Sequence, residues 1–200
     1  MNTKEKIIEA TFLLSLEHGY NNVSIKQIKK KANLSTSSIY HHFKNKEEIL
    51  FYLVKKNLVD ITDDQKEYIK SLEIPLIKKL EILYYYSFGN EINSNKKNIQ
   101  IDGHNINSKE YYLMFAGIYH QYPEYRHLFT NAGLEGIEFF KELIDETKDK
   151  GEINKDIDSE KMAFFIFSNM RGTVEIWLNS NYKPEELIVS NLEIIEKILK

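Results

Sequence analysis

Residues 24–43 read Ser-Ile-Lys-Gln-Ile-Lys-Lys-Lys-Ala-Asn-Leu-Ser-Thr-Ser-Ser-Ile-Tyr-His-His-Phe, and their spacing decides the fold. Ser24 with Gln27 three residues on is a capping-box pattern, which predicts a short helix to about Lys31. Ala32-Asn33-Leu34 then reads as a tight turn. Asparagine tolerates the left-handed backbone better than most non-glycine residues, so Asn33 can make the corner. Ser35 is the N-cap of a third helix that runs to His41 or His42. Two short helices separated by a three-residue turn is the geometry of a helix-turn-helix. Ile25, Ile28, Ala32, Leu34 and Ile39 are expected to form a miniature core between them. Ile39 is the one large aliphatic residue of the third helix, so the rest of that helix is built to face outward.

Working outward, Thr3 is a plausible N-cap for a first helix ending at His18. Its apolar residues Ile7, Ile8, Ala10 and Leu14 recur at helical spacing, and Gly19 ends it. Asn45 to Glu48 is another N-cap signature. It opens a fourth helix that an apolar stripe through Leu50, Leu53, Val54, Leu58 and Ile61 extends to about Ser71. Lys44 and Lys46 stand at its start, where free N–H groups and the helix dipole favour a phosphate. Beyond Pro75, helices are predicted at about 75–89, 108–121, 123–149, 159–179 and 184–199. Pro123 and Pro184 occupy first-turn positions, where a missing N–H costs nothing. Residues 93–107 are polar and turn-rich and read as a loop around a short helix. The expected class is all-α with about nine or ten helices: a three-helix head, residues 1–50, on a helical body, residues 51–200.

Composition narrows the function. The chain has 200 residues, 42% hydrophobic and 28% charged, in the range of ordinary globular proteins. It has no cysteine, which excludes disulfides, thiolate catalysis and zinc-thiolate sites. No apolar run approaches the roughly 18 residues that would span a bilayer. The first residues lead into an amphipathic segment unlike a signal peptide, so the expected location is the cytoplasm. The formal charge is −3, yet residues 1–50 carry eight lysines against five glutamates, a balance of +3 that leaves −6 for the rest. A basic head on an acidic body suits a protein that presents one end to a polyanion, although so small a charge also fits a solvated face. Arg126 and Arg171 are the only arginines. With none in the head, base reading there would fall to shorter or aromatic side chains.

The head resembles the TetR family of bacterial regulators. The residues that carry the likeness are Ile7-Ile8-x-Ala10, Leu14, Gly19-Tyr20, Ser24, Ile28, Ala32-x-Leu34-Ser35, Ile39-Tyr40-x-His42-Phe43 and Lys46-Glu47-x-Ile49-Leu50. In the body the likeness is looser: Tyr122-Pro123-Glu124, Gly151-Glu152-Ile153, and Met170-Arg171-Gly172 before Trp177. Four positions depart from the family pattern. Asn33 replaces a turn glycine, Lys29 a small residue, Ser15 an aromatic and Ser37 a frequent glycine; these bear on which operator is read.

The resemblance implies a homodimer that binds double-stranded operator DNA. Ser24, Ser35, Thr36, Ser37, Ser38, Tyr40, His41, His42, Lys44 and Lys46 are the candidate DNA contacts. Each has a plainer reading as well. Tyr40 could be core, His42 could cap its helix, Ser24 caps without any DNA, and the others could be solvated. Phe43 is assigned to the core. Helices 123–149 and 159–179 are expected to pair with their two-fold mates through Phe139, Phe140, Ile144, Phe164, Phe167 and Val174, with Gly133 and Gly136 allowing close approach; the plainer reading packs these faces inside one body. A family ligand cavity would draw its walls from Tyr85, Phe88, Tyr112, Phe115, Tyr119, Phe140, Phe165 and Trp177. Asn169, Arg171 and Glu175 are the candidate polar anchors. The effector would be small and largely apolar, and its binding would release the operator through the rigid fourth helix. The competing expectation is a DNA-bound adaptor of the same fold that signals through a protein partner. The histidines are scattered, and no nucleophile–base pair, phosphate loop or paired carboxylates stand out. Neither a metal, a cofactor nor an enzymatic activity is expected.

Overall fold

The structure, a computed structural model, describes residues 2–58, 63–88, 98–101 and 104–200, of which 63, 64, 98–101, 104 and 105 by backbone alone. Its elements in order are α1 (Thr3–His18), α2 (Ile25–Ala32), α3 (Thr36–His42), α4 (Lys46–Asn57), α5 (Asp63–Ser71), α6 (Leu76–Ser87), β1 (Asn98–Ile101), β2 (His104–Asn107), α7 (Ser108–Gln121), α8 (Arg126–Asp149), α9 (Ser159–Leu178) and α10 (Pro184–Leu199). Short 3-10 turns stand at Tyr20–Asn22 and Pro123–Tyr125. The fold is all-α in class, ten α-helices with one small strand pair among the described residues. No helix is long and apolar enough to cross a membrane among the residues described.

Three expectations need correction. The cap of α1 is Asn2, not Thr3: the Asn2 carboxamide accepts from the Glu5 N–H while the Glu5 carboxylate accepts from the Asn2 N–H. Such a reciprocal pair satisfies two helix-end donors, which Thr3 does not do. The fourth helix does not run on to Ser71, because Leu58 leaves helical geometry at φ −82°, ψ 83°, and α5 is a separate helix. The loop expected around a short helix at 93–107 instead contributes β1 and β2, its residues 93–97, 102 and 103 lying outside the described set. Asn98-Ile99-Gln100-Ile101 alternates polar and apolar, the period of a strand.

The chain divides into two compact units, residues 1–59 with 100–131 and residues 60–99 with 132–200. In the first, α1 packs against α2, α4 and α7, around Ile7, Phe12, Ile28, Ile39, Phe43, Leu50, Leu53 and Ile118. Ser15, where an aromatic was wanting, is buried and donates to the Thr11 carbonyl at 2.7 Å. In the second unit, α10 packs on α6 and α9 and α6 on α9. Burial on α9 falls at Ala163, Ile166, Phe167, Met170, Thr173 and Val174, one stripe at helical period.

Five of the six side chains expected on a dimer face, Phe139, Phe140, Ile144, Phe167 and Val174, are buried inside this unit; Phe164 alone is exposed. Gly136 is small for the same internal reason. A Cβ there would stand 2.6 Å from Phe167 Cε2, so the glycine makes room for a ring of its own chain. Gly133 faces the same ring with ordinary clearance, 3.9 Å.

Candidate DNA-reading head

The local chemistry read from the sequence builds this site. Ser24 accepts from the Gln27 N–H, and the Gln27 carboxamide accepts from the Ser24 N–H at 2.8 Å, closing the capping box on α2. Asn33 takes the left-handed conformation, φ 53°, ψ 50°, and turns the chain. Ser35 accepts from the Ser38 N–H at 3.0 Å and starts α3. Ile28 and Ile39 have no exposed surface and lock the two helices, with Ile25, Ala32 and Leu34 half-buried beside them. Phe43 is core, as expected. With Ile39 inward, the 3.6-residue period turns Ser37, Tyr40 and His41 outward, and Thr36, the first residue of α3, is exposed as well. Tyr40 is 53% exposed, which rules out the core reading of that side chain. Ser38 and His42 are half-buried; Ser24, Ser35 and Lys44 are exposed. The Ser35 and Ser37 hydroxyls share a hydrogen bond at 2.9 Å.

Lys46 is more committed than the sequence implied. Its Nζ donates to the Tyr20 carbonyl at 2.8 Å and the Asn21 carbonyl at 3.4 Å, and lies 4.3 Å from the Tyr20 ring centroid. Burial lowers the affinity of this ammonium for its proton, and the neighbouring Glu47 charge opposes that. In return the Tyr20 hydroxyl donates to the Lys46 carbonyl. Burial, then Tyr122, Glu47 and Tyr125, push the Tyr20 phenol far above its ordinary range, so it stays a donor.

The sequence missed what surrounds this pair. Asn21 donates to Gln121 and accepts from the Tyr122 hydroxyl. Tyr122 meets Tyr20 edge-on at 5.7 Å and stacks on Tyr125 at 6.1 Å. The Tyr125 hydroxyl donates to the Glu47 carbonyl at 2.9 Å. The signal was present as Gly19-Tyr20 and Tyr122-Pro123-Glu124, but nothing in one sequence pairs them. An open cleft of about 390 Å³ adjoins this cluster, lined by Gly19–Asn22 and by Leu113, Met114, Gly117, Ile118 and Gln121.

The candidate effector residues are divided between the units. Tyr112, Phe115 and Tyr119 are in the first, where Phe115 is buried, Tyr112 half-buried and Tyr119 exposed. The others are in the second. Phe88 and Phe140 are core, and Phe88 meets the half-buried Trp177 edge-on at 5.1 Å. Tyr85 is half-buried. Phe165, Arg171 and Glu175 lie on the exposed side of α9, opposite its buried stripe. Asn169 is half-buried and held in a chain of polar contacts. The Tyr84 hydroxyl donates to Asn169, Asn169 to Asn191 at 3.2 Å, and Asn191 to the Thr173 hydroxyl at 2.9 Å. Thr173 closes the chain on the Asn169 carbonyl at 2.6 Å.

Comparison with known proteins bears on the same residues. The model of the family described as bacterial regulatory proteins, tetR family, matches residues 7–53, which hold most of α1, the turn and most of α4. The Transposon Tn10 TetC protein of Escherichia coli is 37% identical over 60 residues, and the match covers 30% of each chain. The fatty acid metabolism regulator protein of Bacillus subtilis is 25% identical over 198 residues, covering 93% of this chain and 89% of that one. Among solved structures, a TetR-family transcriptional regulator from Cytophaga hutchinsonii superposes with a TM-score of 0.76 at 18% identity, covering 98% of this chain and 94% of that one. Residues 7–53, which build the turn, thus match the N-terminal domain of the tetR family of bacterial regulatory proteins, and the likeness of fold to a solved regulator extends along nearly the whole chain.

Proposed function

We propose that the chain acts in the cytoplasm as a homodimeric repressor, which holds a palindromic operator through residues 1–50 and releases it when residues 51–200 take up a small, largely apolar ligand. The observation that carries this reading is α3, which commits Ile39 to the core and turns Thr36, Ser37, Tyr40 and His41 outward. Those four side chains read bases, a task no head arginine can take. Ser24, Ser35, Ser38, His42, Lys44 and Lys46 serve the phosphates. An ammonium has three donors, so Lys46, with two carbonyls already engaged, retains one for DNA. The relative matched along nearly all of this chain is named for fatty acid metabolism, which supports an acyl chain as the ligand.

Selection of duplexes from a random-sequence library tests the first half. The expected product is a palindrome whose half-sites share one face of the helix. Thr36→Ala or Ser37→Ala changes the selected sequence, whereas Lys46→Ala weakens all sequences and lowers the salt slope by about one unit per head. Failure to enrich any duplex overturns the reading. For the second half, saturated fatty acids of graded length are titrated with and without the selected duplex. Operator and ligand must weaken each other by the same factor. Equal affinity in both titrations removes ligand release and leaves the adaptor.

A further inference from the structure

The sequence suggested a single rigid lever from the head to Ser71, and Leu58 breaks it. Within the first unit a different linkage holds α4, and tyrosine hydroxyls make it. At the far end, Tyr111 in the first turns of α7 donates to the Asn57 carbonyl. At the near end, Tyr125, just past α7, donates to the Glu47 carbonyl, and its ring lies 6.1 Å from that of Phe51. Both ends of α4 are therefore fastened to the segment 108–125. Each acceptor is a backbone carbonyl, fixed in its own helix and unable to swing away as a side chain would. Beside Glu47, the Lys46 carbonyl accepts from Tyr20, and the Lys46 ammonium returns two bonds to Tyr20 and Asn21. Asn21 is fastened in turn to Gln121 and Tyr122.

We propose that Tyr111 and Tyr125 are positioning residues that bind α4 to α7 at both ends, so that α7 and its following turn set the orientation of the recognition head. The proposal rests on the operator-binding reading above. It gives a ligand that shifts α7 a direct hold on α4, with no helix running across Leu58. It also gives DNA recognition a dependence on two hydroxyls that touch no DNA. Specific binding needs the heads held in one orientation, whereas non-specific binding needs only their charge.

The test uses Tyr111→Phe and Tyr125→Phe, which keep the rings and remove the hydroxyls, with Tyr182→Phe as the exposed control. Affinity is measured for the duplex that the unsubstituted protein selects and for a scrambled duplex of the same length. Each substitution is expected to lower the ratio of selected to scrambled affinity about three- to tenfold, the scale of one lost hydrogen bond. Scrambled binding and the control stay unchanged. A merely structural role lowers the melting temperature and leaves the ratio intact, which overturns the proposal. Hydrogen exchange on the same variants decides independently of DNA. Faster exchange of α4 amides with α9 unchanged supports the linkage, and unchanged α4 exchange overturns it. If no duplex is selected, the operator-binding reading fails while the exchange result still judges the linkage.

Discussion

Tyr20 in the first unit and Tyr84 in the second are both buried, and each donates its hydroxyl to a distant helix, yet the acceptors differ. Tyr20 meets a backbone carbonyl, whose direction α4 already fixes. Tyr84 meets the carboxamide of Asn169, whose orientation depends on Asn191 and, through it, on Thr173. The first arrangement positions one piece of backbone against another and fails locally if a member is lost. The second is a closed relay among α6, α9 and α10 in which each side chain satisfies the next, so one deletion orphans several groups.

Asn169→Leu separates the two arrangements most strongly. It removes the acceptor of the buried Tyr84 hydroxyl, an orphan that costs about 1–3 kcal/mol, and also the donor to the half-buried Asn191. Denaturant unfolding should show this as the largest loss in the series. A loss no greater than that of Tyr20→Phe would erase the distinction between relay and fixed acceptor.

Gly136→Ala is expected to come next. The added Cβ meets the Phe167 ring at 2.6 Å in a filled core, and overpacking of this kind costs about 1–3 kcal/mol. Phe167→Leu in the same chain should recover part of the loss, since the clash is with that ring. Recovery would sharpen the picture of a second unit governed by side-chain fit. Absence of recovery would place the strain elsewhere.

Tyr20→Phe should have the smallest effect at neutral pH, about 0.5–1.5 kcal/mol. Its signature is alkaline. In the unfolded chain the phenol ionises near its ordinary value of about 10, whereas burial raises it in the folded protein. The folded state therefore holds a proton that the unfolded state gives up, and stability present below pH ~10 is lost as pH rises beyond it. Urea unfolding between about pH 8 and 11 should show a shallower decline in Tyr20→Phe. Tyr84, raised by burial as well, accounts for a remaining slope. An unaltered slope in the variant would contradict the assignment.

How much of this could be read in the chain follows from distance along it. The caps at Ser24, Ser35 and Asn45 and the corner at Asn33 were legible, because each depends on a side chain and a backbone group within a few residues. The exposed face of α3 was legible for the same reason, one aliphatic residue fixing which side goes in. The end of α4 was not, since the apolar stripe continues past Leu58 and periodicity is blind to a local change in ψ. The dimer-face assignment failed differently. Phe139, Phe140 and Phe167 were recognised as surplus apolar surface, but whether a partner or the chain's own helices cover them depends on packing.

By itself the sequence determined the helical class, the helix-turn-helix and its outward face, because these follow from caps, turn residues and a 3.6-residue period acting locally. Tertiary structure alone decided which groups meet across 54, 78 and 101 residues: Tyr111 with Asn57, Tyr125 with Glu47, and Tyr122 with Asn21. No local rule pairs a tyrosine with one carbonyl among many. That choice is made when the helices pack and bring a hydroxyl and a distant acceptor within hydrogen-bonding reach.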